Sequence, residues 1–285
     1  MIGRKTRAQG RPPTVVARRL FVASLLAFVA SAGCHHPPPA QRPTPGPSAA
    51  ALLASLTARQ AAVRTMNARV RATSWIDDQR LRASVLMLVT RTGQLRFEAE
   101  VSLQGTVSIL TTDGTRFALL DLQKNELHQG PACPANVAAL IRIPLLPEEV
   151  AAILLGDVHL DPPADDQPDQ VSWDAQRAAD VLLRTDTGGR RTWLYFQDHG
   201  RDRDLIAVVR DDGKNRLWQS AYDDQRSVST MRLPGVIRFA EGNQSFDQGV
   251  EVKFKDVTIN VVPRPEAFTL VAPAGVATHE EACAP

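Results

Sequence analysis

The stretch "LRASVLMLVTRTGQLRFEAEV", residues 81–101, carries the pattern that decides the fold. From Leu95 to Val101, apolar residues alternate with charged ones, which is typical of a strand with one buried and one solvated face. From Val85 to Val89 every residue is apolar, which predicts a strand that is covered on both faces. Thr92-Gly93 lies between the two runs and is a turn signal, so the stretch predicts an antiparallel hairpin.

The same two patterns recur on either side of this hairpin. Residues 250–255 alternate, whereas residues 117–120 and 205–209 are apolar on both faces. Turn signals lie between these runs at Asp113-Gly114, Thr187-Gly188-Gly189, Asp212-Gly213 and Glu241-Gly242-Asn243. They predict a mainly β chain of about ten or eleven short antiparallel strands with few helices. A strongly curved sheet with helices at its mouth would cover both faces and enclose an apolar cavity.

Helical spacing appears in two places. Ser48 is a candidate N-cap, and the leucines that follow it predict an amphipathic helix to about residue 63. Residues 133–157 interrupt the strands with two short helices, the second of which has Pro147 at its first position and Gly156 as its stop. The acidic, proline-rich loop at residues 161–170 then separates two groups of strands.

Residues 1–33 have the layout of an export signal. Six basic residues and no acidic one precede Leu20, an apolar run follows, and the segment ends in the small residues Ser31-Ala32-Gly33. The run is shorter than the roughly 20 residues that span a bilayer, so a retained transmembrane anchor is the weaker interpretation. We expect residues 1–33 to be absent from the mature chain.

Cys34 is the expected lipidation site. Gly33-Cys34 resembles the lipobox of bacterial lipoproteins, although Ser31 stands where leucine is commonest, and Ala30-Ser31-Ala32 would also suit the ordinary signal peptidase. Residues 34–48 are proline-rich and predict an extended tether. A tether has a role only if something is attached at its first residue, which favours lipidation of Cys34. His35 after the cysteine does not resemble an inner-membrane retention signal, so export to the outer membrane is expected.

The cysteine count and the charge of the mature chain bear on disulfide formation and on the class of partner. With Cys34 acylated, Cys133 and Cys283 form an even pair in an oxidising compartment, and either a disulfide or two unrelated thiols fits that count. Without residues 1–33 the chain holds 27 basic and 31 acidic residues. This acidic balance argues against a nucleic-acid partner.

The order of elements resembles a known family. The helix, "VRTMNARVRATSW", the hairpin quoted above, "TTDGTRFALL", "ELHQG", "IPLLPEEVAAILLG" and "PEAFTLVAP" are similar to the LolA/LolB superfamily, above all to LolB-like outer-membrane lipoproteins, over roughly residues 52–273. The chain is longer than a typical acceptor of this type, and no matching apolar insertion loop is recognised. The resemblance implies an open, incomplete antiparallel β-barrel with short helices as a lid over a hydrophobic cavity that receives acyl chains. Residues 49–285 would form this domain.

Nine apolar residues are the candidates for the wall and lid of that cavity. They could equally fill a close-packed core, and the helix from Leu145 to Leu155 could be a movable lid or a fixed plug. The candidates are Leu86, Leu88, Phe97, Phe117, Leu119, Leu145, Leu146, Ile153 and Leu154.

No pattern in the chain indicates an enzyme, a cofactor or a metal site. His35-His36 could ligate a metal but fits a polar tether better, and residues 161–170 could bind calcium but fit a solvated loop better. Asp198-His199 could support acid–base chemistry, but its position is more typical of a hairpin tip. No nucleophile elbow or phosphate-binding loop occurs. We expect an outer-membrane-anchored lipoprotein that binds lipid or lipoprotein acyl chains. The alternatives are an assembly lipoprotein that docks an envelope protein, and more remotely an envelope hydrolase.

Overall fold

The structure is a computed structural model that describes residues 41–42, 45–76, 79–101, 104–200 and 203–283. These residues contain three α-helices. Ser48 caps the first by accepting a hydrogen bond on its Oγ from the amide of Ala51 at 3.2 Å, and Pro134 and Pro147 open the other two, where a missing amide hydrogen costs nothing. The helices are α1 (Ala49–Ala62), α2 (Pro134–Ile141) and α3 (Pro147–Leu154).

Fourteen strands of the described residues form one sheet. Strands β1 to β6 and β7 to β13 pair as two series of antiparallel hairpins, β13 joins the two series by pairing with β1, and β14 pairs with β6. The sheet order is β14-β6-β5-β4-β3-β2-β1-β13-β12-β11-β10-β9-β8-β7. The strands are β1 (Thr65–Ile76), β2 (Gln79–Thr90), β3 (Leu95–Val101), β4 (Gly105–Thr112), β5 (Arg116–Asp121), β6 (Glu126–Pro131), β7 (Gln170–Asp174), β8 (Ala179–Thr185), β9 (Arg191–Asp198), β10 (Arg203–Asp211), β11 (Arg216–Val228), β12 (Met231–Glu241), β13 (Val250–Ile259) and β14 (Ala277–Glu280).

The sheet stays open, because β14 and β7 are its two edges. The predicted class, a mainly β open antiparallel barrel with few helices, is therefore confirmed. The described strands outnumber the ten or eleven that the turn signals indicate. One of the additional strands is β14, which carries no alternating apolar pattern and pairs in parallel with β6.

The concave face of the sheet carries the main core. Met87 and Val89 of β2, Phe97 of β3 and Phe254 of β13 pack there together with α1 and α3. Burial of these apolar side chains is the dominant favourable term for the fold. The curvature of the sheet thus places both helices inside it.

The C-terminal segment covers part of the convex face. Ala118, Leu120 and Leu127 face outward from β5 and β6, and Leu270 and Val276 of the C-terminal segment pack on them. This contact explains why β5 is apolar on both faces. Cys283, the last described residue, forms a disulfide with Cys133 across Cα atoms 6.0 Å apart.

Candidate functional site

An apolar cavity of about 510 Å³ lies between the concave face of the sheet and α2. Its volume falls in the range of roughly 300–1,000 Å³ that is usual for small-molecule sites. Most of its wall is aliphatic. The sheet contributes Val70, Ala72, Thr73, Ser74, Leu81, Arg82, Ala83, Val85, Met87, Phe97, Ala99, Val101, Val250 and Val252, and the remaining wall is Gln123, Ala139, Leu140, Ile141, Arg142, Ile143 and Leu154.

The cavity opens to solvent at the ends of β2 and β3. Leu81 and Val101 line it there and remain 47% and 41% exposed. Large apolar side chains with this exposure on a concave rim are typical of a binding site. The site is therefore a pocket with an accessible mouth.

Helix α2 covers the cavity but is loosely packed. Among its residues only Val137 is fully buried, whereas Leu140 and Ile141 are partly buried over the cavity. A separate groove of about 420 Å³ lies against Ala135 and Ala138 of the same helix. Because space adjoins α2 at both places, little packing opposes its displacement, and the disulfide at Cys133 fixes the chain directly before its first residue.

Helix α3 is instead held firmly inside the sheet. Val150, Ala151, Ile153 and Leu154 are all buried. The carboxylate of Glu149 accepts hydrogen bonds from the amide of Leu146 at 3.2 Å and from the Arg210 guanidinium at 2.7 Å. Of the two alternatives for the helix from Leu145 to Leu155, this packing favours the fixed plug, and α2, one helix earlier in the chain, is the helix that covers the cavity.

Arg210 is the centre of the polar contacts around α3. It is 2% exposed and donates hydrogen bonds to Glu149, to the backbone oxygen of His159 at 2.6 Å and to Oγ1 of Thr192 at 3.1 Å. Its guanidinium also lies 5.2 Å from the ring centroid of Trp218. Burial lowers the pKa of Arg210, and nearby Glu149 opposes that shift.

Asp157 forms a second buried polar contact just beyond α3. Its side chain is fully buried and accepts a hydrogen bond from Arg91 at 2.7 Å, and its backbone oxygen accepts one from the Tyr222 hydroxyl at 2.6 Å. Burial raises the pKa of Asp157, an effect that the positive charge of Arg91 opposes. Burial also lowers the pKa of the neighbouring Arg59.

The nine candidate residues do not meet in one place. Phe97 and Leu154 line the cavity. Phe117, Leu145 and Ile153 lie in the core instead, with Leu119 packed against it. Leu146 is 43% exposed.

Leu86 and Leu88 lie on the convex side of β2, because Val85 and Met87 are the residues of that strand that face the cavity. A run that is apolar at every position cannot indicate which of its residues point inward. The cavity residues that the sequence did not single out, including Ala99 and Val252, lack any signal beyond strand alternation.

A second cavity, of about 600 Å³, lies against β9, β10 and β11. Polar groups such as Gln197, Gln219 and Asp223 form much of its lining. It offers an acyl chain far less apolar surface than the cavity under α2. We therefore take the smaller, apolar cavity as the candidate site.

The other predicted polar features have structural roles in the described residues. Asp198 accepts a hydrogen bond from the amide of Gly200 at 2.8 Å in the β9–β10 turn, and His199 lies 3.3 Å from Asp204. Asp161 and Asp169 of the acidic loop pair with Arg190 and Arg184.

Two absences hold for the described residues, and the N-terminal candidates lie outside them. No group of metal-ligating side chains occurs among the described residues, and none of their helices is long and apolar enough to cross a membrane. Cys34, His35 and His36 lie outside the described residues.

Comparisons with known proteins rest on the fold alone. No family model matches the chain, and no curated protein is similar to it in sequence. A domain named for outer membrane lipoprotein sorting, from Vibrio parahaemolyticus, superposes with a TM-score of 0.50 at 8% identity, covering 75% of this chain and 95% of that one.

Two further solved structures are similar at lower TM-scores. A DUF1329 family protein from Desulfovibrio piger gives 0.49 at 9% identity over 75% of this chain and 97% of that one. The LolA superfamily protein NE2245 from Nitrosomonas europaea gives 0.45 at 12% identity over 73% and 90%. The resemblance seen in the sequence is confirmed at the level of the fold alone: this chain shares the fold of the lipoprotein-sorting domain of Vibrio parahaemolyticus.

Proposed function

We propose that this chain is a lipoprotein of the bacterial outer membrane that binds acyl chains of lipids or of other lipoproteins and catalyses no reaction. The observation that carries the proposal is the apolar cavity of about 510 Å³ under α2. Its wall offers apolar side chains and few polar groups to a ligand. A linear hydrocarbon chain is the ligand that this lining suits.

The size of the hydrophobic effect makes such binding reversible. A dozen buried methylenes contribute about 10 kcal/mol at about 0.8 kcal/mol each. Association itself costs about 4 kcal/mol or more, and displacement of α2 would subtract further from the gain. A single chain would therefore bind tightly enough to be carried and weakly enough to be released, as a carrier or acceptor requires.

Anchoring is proposed to run through Cys34. The basic segment, apolar run and small residues before it match an export signal, and several acyl chains on one cysteine would hold the protein at a membrane. Residues 34–48 would then be the tether and residues 49–285 the binding domain. Arg42 of the tether donates a hydrogen bond to Asp180 of β8 at 2.9 Å, so the end of the tether contacts the sheet.

Intact mass spectrometry of the protein from its native envelope tests the anchor. Loss of residues 1–33 together with added acyl mass is expected, and a Cys34→Ala variant should lack that mass. An unmodified Cys34 in the wild-type protein would reject lipid anchoring and leave the binding proposal untouched.

Native mass spectrometry of the full chain with a long-chain acyl ligand tests the binding. Ala99 lines the apolar cavity and Ala221 lines the polar one, so Ala99→Phe and Ala221→Phe are matched variants. We expect Ala99→Phe to lower acyl binding at least tenfold and Ala221→Phe to leave it unchanged. The reverse result would assign binding to the polar cavity, and no binding by the wild type would favour a protein that docks an envelope partner.

A further inference from the structure

The second cavity, of about 600 Å³, lies on the convex face of β9, β10 and β11. Leu194, Phe196 and Val208 of these strands belong to the concave core. Tyr195 and Gln197 line the cavity, and because side chains alternate along a strand, they point to the opposite face. The cavity is therefore separate from the apolar one under α2, and the proposed lipid binding makes no use of it.

The floor of this cavity is apolar and made of small side chains. Ala207 of β10 lies opposite Ala221 of β11 and opposite Tyr195 of β9, so the three share one face. Ile206 lines the cavity where the register of β10 shifts between Leu205 and Ala207. Such bulges are over-represented next to active sites, because they re-aim a side chain. The two alanines leave space above the sheet for a ligand.

The charged groups of the lining already have partners within the protein. Among the described residues, two guanidinium groups and two carboxylates line the cavity, so their formal charges cancel. A charged ligand would have to displace one of the existing partners. The lining therefore favours a ligand without net charge. The pairs are Arg177 with Asp174, His199 and Arg232 with Asp204, Asp223 with Arg238, and Asp224 with Arg226.

Uncharged hydrogen-bonding groups stand at the sides of the cavity. Gln197, Gln219 and Gln225 line it, and each amide can both donate and accept. The Gln219 amide is oriented by donating to the backbone oxygen of Gln244 at 2.9 Å. Oε1 of Gln225 accepts no hydrogen bond from a described residue. Because an acceptor without a donor is unfavourable, the sides favour a ligand that donates hydrogen bonds.

We infer that this cavity binds a neutral oligosaccharide. A sugar ring has an apolar C–H face, which fits the floor formed by Ala207, Ala221 and Ile206, and a rim of hydroxyl groups. Each hydroxyl both donates and accepts, as the glutamine amides require. An extended peptide offers only one backbone donor and one acceptor per residue, so it would pair fewer of these groups. The site is additional to the proposed acyl-chain binding and does not depend on it.

NMR titration of the isotope-labelled full chain tests the inference. Chitotetraose and cellotetraose are neutral oligosaccharides, tetragalacturonate is an anionic one, and acetyl-tetraalanine amide represents the extended peptide. We expect both neutral oligosaccharides to shift the amide signals of β9, β10 and β11 and to bind at least about tenfold more tightly than the other two ligands. No binding of either neutral oligosaccharide overturns the inference. Equal or tighter binding of tetragalacturonate or of the peptide overturns it as well.

Variants locate the binding. Gln197→Leu with Gln219→Leu removes two amides from the sides and should weaken neutral-oligosaccharide binding roughly five- to hundredfold. Gln167→Leu, at an exposed glutamine of the acidic loop, should leave it unchanged.

The two alanine variants then give a reciprocal test. Ala221→Phe fills the floor and should abolish oligosaccharide binding, whereas Ala99→Phe, in the apolar cavity, should not affect it. The dispersion of each amide spectrum shows whether the variant is folded. Binding that survives the double glutamine variant or a folded Ala221→Phe variant rejects the site. Loss of acyl binding by Ala99→Phe is a separate result, so the two proposals fail independently.

Discussion

The concave side of the sheet has two regions of opposite chemistry. Next to α3, two buried charges each pair with a partly buried partner of opposite sign: Arg210 with Glu149, and Asp157 with Arg91. Next to α2, the described lining of the cavity is mostly aliphatic and contains no acidic side chain. One helix is thus attached by directional bonds, and the other rests on apolar surface beside empty space.

The two regions respond differently to displacement, so one sheet can have a rigid part and an adaptable part. A buried ion pair tolerates little displacement, because separating its charges leaves each one desolvated without a partner. Apolar contacts are non-directional, so a hydrocarbon chain can replace those that α2 makes. The polar region therefore fixes the scaffold, and under the proposed function the apolar region exchanges its own packing for a ligand.

The largest expected effect comes from breaking the polar region. Arg210→Gln leaves Glu149, whose side chain is only 14% exposed, without its charged partner, so we expect the free energy of unfolding to fall by about 3–5 kcal/mol. Arg116→Gln removes an arginine of the same charge from an exposed pair with Glu280 and should cost less than about 1 kcal/mol. Urea denaturation measures both. Equal losses would show that Arg210 is not the anchor of α3.

The disulfide tests whether α2 depends on a covalent constraint. Cys133 and Cys283 are 150 residues apart, so replacing both by serine should lower the free energy of unfolding by about 2–5 kcal/mol. Amide hydrogen exchange should accelerate in α2 and not in α3, because the bond is attached directly before α2. Reduction of the wild-type protein should reproduce the pattern, and equal acceleration of both helices would remove the distinction between lid and plug.

The sequence predicted the scaffold better than the site. Alternation at Leu95–Val101 and the caps of α1 and α3 depend on local chemistry, and the structure has those elements where they are predicted. The parallel pairing of β14 with β6 joins residues far apart in the chain, and nothing in "ATHE" indicates it.

The site was only partly predictable for the same physical reason. Phe97 and Leu154 were chosen as cavity residues and do line the cavity. Leu86 and Leu88 are also candidates and lie on the other face of β2, because residues 85–89 are apolar at every position and do not themselves mark the outside. Arg210 and Asp157 gave no sequence signal, because an isolated charge in a strand or loop usually lies at the surface.

A small-to-large substitution compares the packing of the two regions directly. Ala99 and Ala151 are both buried, the first beside the cavity and the second in α3. Ala99→Leu should change the free energy of unfolding by less than about 1 kcal/mol, since the added methyl groups enter existing space, whereas Ala151→Leu should cost about 1–3 kcal/mol by overpacking. Thermal and urea denaturation give both values. A larger loss for Ala99→Leu would mean that the cavity closes in solution.

Acid gives the smallest effect and separates the two regions by their carboxylates. Burial raises the pKa of Asp186. Hydrogen bonds from the backbone and guanidinium of Arg190 at the β8–β9 turn lower it by more, so the net pKa is depressed. A depressed pKa means that this carboxylate stabilises the fold above its unfolded pKa of about 3.9 and that the contribution is lost as pH falls through the folded pKa. At pH 7, Asp186→Asn should therefore cost about 1 kcal/mol. The difference between the variant and the wild type should begin to shrink below about pH 4 and vanish below the folded pKa. Hydrogen exchange followed by NMR measures the effect. Residues 186–190 should lose protection in acid before α2 does, because the described lining of the cavity contains no acidic side chain. Simultaneous loss of protection would mean that the β8–β9 turn and α2 unfold as one unit.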